Sequence, residues 1–162
     1  MKVAFGLKKA ATLCILKHKD EFLLLKRAKE PHQGKYTPLG GKLEAHESPL
    51  EAAIRETKEE SGIDLPHMDF WGVMTETSPV KYNWICYVYS AEIDKIPPPP
   101  CPEGILEWVH TDQLLDISTP KTDWFIYQYI LNEQKFILDV QYDESLHILS
   151  MKEELSGQLL IG

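Results

Sequence analysis

Three glutamates that could bind a metal ion, Glu56, Glu59 and Glu60, lie within one short stretch of the chain. In a helix, the i, i+3, i+4 spacing brings the three carboxylates into one small region. Such oxygen donors suit Mg²⁺ or Mn²⁺, whereas zinc favours His or Cys. The alternative is a solvated acidic face, because each like-charge pair on an exposed helix costs only about 0.2–0.5 kcal/mol. The spacing alone leaves both interpretations open.

The helix that would position these acids is marked at both ends. Ser48 is a favourable N-cap, Pro49 suits the first helical position, and Glu51 completes a capping box. Gly62 provides a left-handed stop. The sequence therefore predicts a helix over residues 49–61, with an apolar side that packs on a sheet and the acids on another side.

The acids also belong to a longer pattern of fixed spacing. It reads Gly41-x5-Glu47-x7-Arg55-Glu56-Thr57-x-Glu59-Glu60-x-Gly62-Ile63. This pattern resembles the signature of the Nudix (MutT-like) hydrolases, Gly-x5-Glu-x7-Arg-Glu-U-x-Glu-Glu-x-Gly-U, where U is a bulky apolar residue. Every fixed letter is present, and only Thr57 departs mildly, at the first apolar position. At roughly one in fifteen per fixed position, chance agreement is on the order of one in 10⁸ per starting point.

The resemblance extends over about residues 10–151. The segment 34–41 leads into the signature segment, residues 41–63, as in family members; this signature segment is called the box below. Downstream of the box, Glu103 and Trp108 resemble an acidic position and a Trp position of the family. The last helix and hairpin are similar to those of the 8-oxo-dGTP diphosphatases. The fold class that the resemblance implies is α/β: the Nudix fold, a mixed β-sheet sandwiched between α-helices.

The resemblance also implies roles for the box residues. Glu56 would lie nearest the attacking water, Glu59 and Glu60 would be the principal metal ligands, and the carbonyl of Gly40 would add a ligand. Glu103 could reach a second metal or act as the base. The expected cofactor is Mg²⁺ or Mn²⁺.

The remaining box residues would support the site. The resemblance implies that Arg55 and Glu47 hold the loop and the catalytic carboxylates, with Arg55 orienting Glu56 through a charge-assisted hydrogen bond. Gly41 and Gly62 would shape the backbone of the box.

The expected substrate is a nucleoside triphosphate, cleaved to a monophosphate and pyrophosphate, with an oxidised purine such as 8-oxo-dGTP as the candidate. Tyr36 could stack on a base and Thr37 could hydrogen-bond to it. Related readers of oxidised purines often have Trp-Asn at these two positions, which weakens this choice. Lys42 and Lys121 could contact phosphate. The alternative for Tyr36 is a half-buried aromatic side chain that covers the core. The alternative for both lysines is that they are solvated.

Two rival functions remain open at this point. One is hydrolysis of ADP-ribose or another nucleoside diphosphate linked to a second group. The other is a non-catalytic Nudix domain that binds a nucleotide as a regulator. Such domains commonly lose box carboxylates and gain a DNA-binding segment, whereas this chain keeps every carboxylate and has no basic appendage.

Composition limits the class of protein. The 162 residues suit a single domain over 1–162, with a core at about 10–151 and a tail, 152–162, either disordered or at an interface. A net charge of -8 argues against a nucleic-acid polymer as partner, and a phosphate substrate would need a cation. No apolar run is long enough to span a membrane. Three scattered cysteines favour a reducing cytoplasm.

The remaining elements follow from apolar patterning and turn residues. Two hairpins, two strands and a buried helix are expected, whereas the segment 30–42 and the prolines at 97–102 are expected to be loops. The predicted hairpins are 10–16 with 21–26 and 135–142 with 146–151, the strands are 69–75 and 83–93, and the helix is 123–132.

Overall fold

The computed structural model describes residues 7–162, which form two helices, a short 3₁₀ turn at Thr111–Gln113 and one mixed sheet. The helices are α1 (Pro49–Ser61) and α2 (Lys121–Leu131). The strands are β1 (Lys9–His18), β2 (Glu21–Arg27), β3 (Tyr36–Thr37), β4 (Leu39–Lys42), β5 (Asp69–Thr77), β6 (Trp84–Glu92), β7 (Pro100–Cys101), β8 (Gly104–His110), β9 (Phe136–Tyr142), β10 (Ile148–Glu153) and β11 (Gln158–Ile161).

The sheet runs in the order β11-β10-β9-β5-β6-β1-β2-β8-β7, with β3 paired to β2 and β4 to β1. The pairs β1–β6 and β5–β9 are parallel, and the other pairs are antiparallel. β4 lies against β1 with Gly41 opposite Thr12 and Gly40 opposite Leu13. This pairing holds the start of the signature segment at the centre of the sheet.

Strand alternation divides the core between the two faces of the sheet. On β1, Ile15 packs in the cluster that contains α2 residues, whereas Cys14 and Leu16 pack in the cluster beneath α1. On β2, Phe22 and Leu24 join the first cluster, while their neighbours join the second. Because successive side chains point to opposite faces, both faces are apolar and each receives a helix. The predicted mixed sheet between helices is confirmed.

Helix α1 has the predicted bounds and caps. The Ser48 hydroxyl accepts from the backbone N–H of Glu51 at 3.2 Å, and the Glu51 carboxylate accepts from the backbone N–H of Ser48 at 3.0 Å. Gly62 ends the helix at φ 76°, in the left-handed region. These local signals explain why the sequence could place this helix.

Three strands lie where the sequence predicted loops. β3 and β4 lie in the stretch 30–42, and β7 lies in the proline-rich segment. Pro100 has no backbone N–H to donate, but β7 is at the edge of the sheet, so no central ladder of hydrogen bonds is interrupted. The predicted tail, 152–162, contributes to the sheet, because it contains the end of β10 and all of β11. The other helix begins two residues before its predicted start, at Lys121. Between residues 7 and 162, no helix is both long and apolar enough to cross a bilayer.

Candidate active site

The site begins where α1 packs against β4. The Gly40 N–H donates to Oε1 of Glu60 at 2.9 Å, and only 7% of Glu60 is exposed. Gly40 has φ 141°, and a Cβ there would overlap the carbonyl of Thr12. A Cβ on Gly41 would lie 2.5 Å from the carboxyl carbon of Glu56. The two glycines therefore allow the carboxylates of α1 to reach the strand.

Arg55 links the acids of the box. Its guanidinium donates to both oxygens of Glu47, at 2.6 and 2.8 Å, in a bidentate pair. A third nitrogen donates to Glu56 at 3.0 Å and to Glu59 at 3.2 Å, and the carbonyl of Lys42 accepts at 3.1 Å. The guanidinium thus joins α1 to the loop that precedes it, and its hydrogen bond to Glu56 is the contact that the predicted orienting role requires.

Burial raises the pKa of two of the acids. For Glu60, burial is the main cause and the charges of Glu56 and Glu103 add to it; the Gly40 N–H opposes the shift, and the pKa rises to about 7. For Glu56, burial raises the pKa even though Arg55 stabilises the carboxylate. Both acids thus lie where a nearby cation would stabilise their charged forms.

The donor set fits a hard divalent cation. Glu56, Glu59 and Glu60 supply only carboxylate oxygens, and the backbone of Gly40 contacts Glu60 through its N–H. Within residues 7–162, no three His, Cys, Asp or Glu side chains converge closely enough to hold an ion as they stand. Arg55 bridges Glu56 and Glu59 instead. Binding would therefore require exposed Glu59 to turn away from Arg55.

Glu103 approaches the same region from the turn between β7 and β8. Its carboxylate lies 3.8 Å from the guanidinium of Arg27, and it is one of the charges that raise the pKa of Glu60. The structure therefore brings Glu103 near the box, as the sequence anticipated, and adds Arg27 as a partner that the sequence did not indicate.

A cavity of about 220 Å³ opens beside the two glycines. It is smaller than the roughly 300–1,000 Å³ of pockets that enclose a whole drug-sized ligand, so it suits one part of a nucleotide. Its lining includes Thr37, Gly40, Arg27 and Trp84, with two buried acids, Glu76 and Asp123.

The other predicted substrate residues lie outside this cavity. The hydroxyl of Tyr36 donates to Glu107 at 2.6 Å and Lys26 lies over its ring, so Tyr36 has protein partners. Lys42 is exposed, and Lys121 borders a separate apolar pocket at the start of α2. Of the four candidates, only Thr37 lines the cavity.

Sequence reasoning missed both acids of the cavity. Asp123, in the first turn of an otherwise apolar helix, was an available signal. Glu76 lies just past the predicted strand end at Thr75, so the strand pattern assigns it to neither face of the sheet. The structure extends β5 through Thr77 and directs Glu76 inward.

Comparison with known proteins agrees with this geometry. The family model of the NUDIX domain matches residues 6–133. The chain belongs to the Nudix family. An uncharacterised Nudix hydrolase of Bacillus subtilis, YvcI, is 27% identical over 76% of this chain and 79% of its own length. The NAD-capped RNA hydrolase of Schizosaccharomyces pombe is 34% identical over 52% of this chain, which corresponds to 22% of that protein.

Solved Nudix structures show the same fold. The MutT protein from Bacillus halodurans matches with a TM-score of 0.79 and 27% identity, over 91% of this chain and 98% of that one. A bifunctional NMN adenylyltransferase/ADP-ribose pyrophosphatase from Francisella tularensis, complexed with AMP and a manganese ion, matches with a TM-score of 0.66 and 21% identity, over 80% of this chain and 42% of that one. This protein is thus a MutT-like Nudix hydrolase, of a family that hydrolyses phosphoanhydride bonds in nucleotide derivatives.

Proposed function

We propose that this Nudix protein is a Mg²⁺-dependent diphosphatase that cleaves a nucleoside triphosphate into a monophosphate and pyrophosphate. One observation carries the proposal: Arg55 holds Glu47 and Glu56, Glu56 lies against Gly41, and Gly41 lines a cavity sized for part of a nucleotide. The candidate substrate is an oxidised purine nucleotide such as 8-oxo-dGTP.

Glu56, Glu59 and Glu60 would hold the cation, with the carbonyl of Gly40. When bound, a divalent cation neutralises phosphate charge and lowers the pKa of a water. Glu56 lies against Arg55, and burial raises its pKa, which makes its carboxylate a stronger proton acceptor than that of an exposed glutamate. Water oxygen bonds to the α-phosphorus, the bond to the bridging oxygen breaks, Glu56 takes the water proton, and pyrophosphate leaves.

A second substrate class is favoured by the fold neighbours. The Francisella tularensis protein is an ADP-ribose pyrophosphatase, and the NUDIX domain of Shewanella oneidensis NrtR was crystallised with ADP-ribose, at 14% identity and a TM-score of 0.68. Hydrolysis of ADP-ribose by this chain would release AMP rather than pyrophosphate. The identity of the product therefore separates the two candidates.

The test is a panel of nucleoside triphosphates, 8-oxo-dGTP and ADP-ribose, incubated with Mg²⁺ and separately with EDTA. We expect pyrophosphate from a triphosphate with Mg²⁺ and none with EDTA. AMP from ADP-ribose alone would favour the second class. Ligand binding without turnover across the panel would contradict both and support a non-catalytic regulator.

A further inference from the structure

Two buried acids line the cavity. Glu76 comes from β5 and Asp123 from the first turn of α2, and only 4% and 6% of these residues are exposed. In the part of the chain that the structure describes, neither side chain forms an ion pair with Lys, Arg or His. Because a buried unpaired acid is costly, their presence in a cavity points to a polar ligand.

Glu76 is positioned by side chains from other strands. The hydroxyl of Tyr142 donates to its Oε2, the thiol of Cys86 lies 3.9 Å from its Oε1, and Tyr82 is a further hydrogen-bond partner. Burial raises the pKa of Glu76, and these hydrogen bonds oppose the shift by stabilising the carboxylate. The ammonium group of Lys8 binds the backbone carbonyl of Glu76 at 2.7 Å and adds a positive charge nearby. The two carboxylate oxygens have about four acceptor positions in all, more than these partners use, so a ligand donor can still bind.

Asp123 supplies a hydrogen-bond donor to complement the acceptors of Glu76. Burial, together with the charge of Glu76, raises the pKa of Asp123 to about 8. At neutral pH it is therefore mainly protonated and can donate a hydrogen bond. The cavity lining then offers a carboxyl donor near the acceptors of Glu76, and Met74 and Trp84 add apolar surface for a planar ring.

We propose that Glu76, together with Asp123, selects a guanine-type base: Glu76 accepts from the N1–H and the 2-amino group, and Asp123 donates to O6. This inference rests on the proposed function for the orientation of a nucleotide, with its phosphates at the box and its base in the cavity. Adenine presents an acceptor at N1 and hypoxanthine lacks the 2-amino group, so each leaves an acceptor of Glu76 unmatched.

The expected discrimination is large, because a site that hydrogen-bonds to a ligand leaves buried groups unpaired when the donor is missing. Sites of this kind reject the deficient analogue by as much as about 10⁴-fold. For loss of one amino group in a partly open cavity, we expect about a tenfold or greater weakening of binding.

The experiment measures binding of GMP, IMP and AMP to the full chain by isothermal titration calorimetry, with Mg²⁺ present. The wild type should bind GMP at least ~10-fold more tightly than IMP or AMP. Glu76→Gln replaces one acceptor with a donor and should bring the GMP and IMP affinities close together. Glu92→Gln, the same change at an exposed strand position, should keep the preference.

Thermal melts establish that each variant is folded. If Glu76→Gln fails to fold, Tyr142→Phe, which removes the donor to Glu76, should still narrow the gap between GMP and IMP. Equal binding of the three ligands, or no binding of any, overturns the inference, as does an unchanged preference in a folded Glu76→Gln or Tyr142→Phe. A GMP preference without hydrolysis would refute only the proposed function; hydrolysis without base preference would refute only this inference.

Discussion

Gly41→Ala should damage catalysis much more than folding. A Cβ at this position would lie 2.5 Å from the carboxyl carbon and Oε1 of Glu56, and 2.7 Å from Oε2, whereas ordinary contact begins at 3.4 Å. The carboxyl group must therefore move by about 1 Å. Since it is the end of a flexible side chain, the backbone can stay in place. The hydrogen bond from Arg55 to Glu56, 3.0 Å long, would be lost or lengthened.

A displacement of about 1 Å at a reacting group can cost about 10²-fold in rate. We therefore expect kcat for pyrophosphate release to fall about 100-fold, with the free energy of unfolding lowered by only about 1 kcal/mol. The assay combines steady-state kinetics with urea denaturation.

The matched control is Gly62→Ala. Its φ of 76° strains an alanine, but a Cβ there would meet no atom within 4 Å. This change should cost about 1–2 kcal/mol of stability and leave kcat near wild type. Wild-type kcat in Gly41→Ala would refute the role that we assign to the position of Glu56.

Three further perturbations test other parts of the structure. Arg55→Lys keeps the charge but loses the fork to Glu47, so kcat should fall about 10–100-fold in steady-state assays, and an unchanged kcat would argue against the fork. Burial alone would raise the pKa of Glu153, but backbone N–H donors lower it to about 2; wild type should lose stability from pH 4.5 toward 2, and in urea titrations Glu153→Gln should lose less. Asp123, whose pKa is raised to about 8, destabilises the fold as pH rises from about 4 to 8, so melts of Asp123→Asn should show a Tm gain that is larger at pH 8 than at pH 5; equal gains would contradict this linkage.

Local signals made α1 predictable from the sequence. Its N-cap, capping box and C-terminal glycine act within a few residues, and the spacing of its acids follows from helix geometry. β11 could not be predicted in the same way, because its pairing with β10 depends on a partner strand and on Glu153, which accepts three backbone N–H groups in that region. Short sequence windows therefore give little indication of such pairing at a sheet edge.

The acids of the cavity could not be predicted from the sequence for the same reason, because their proximity depends on tertiary packing. Glu76 and Asp123 are far apart in the chain and meet only because α2 packs on the sheet face to which Glu76 points. Likewise, Tyr36 and Thr37 are neighbours on β3, yet only Thr37 lines the cavity. The face to which each residue of such a short strand points depends on its pairing with β2, which the sequence did not indicate.

Direct binding of Mn²⁺, followed by electron paramagnetic resonance, tests whether the box acids hold a cation. The wild type should bind Mn²⁺, and Glu60→Gln, which keeps an acceptor for the Gly40 N–H, should weaken that binding at least ~10-fold while remaining folded. Equal Mn²⁺ affinity in the two proteins would show that the metal, if bound, lies elsewhere.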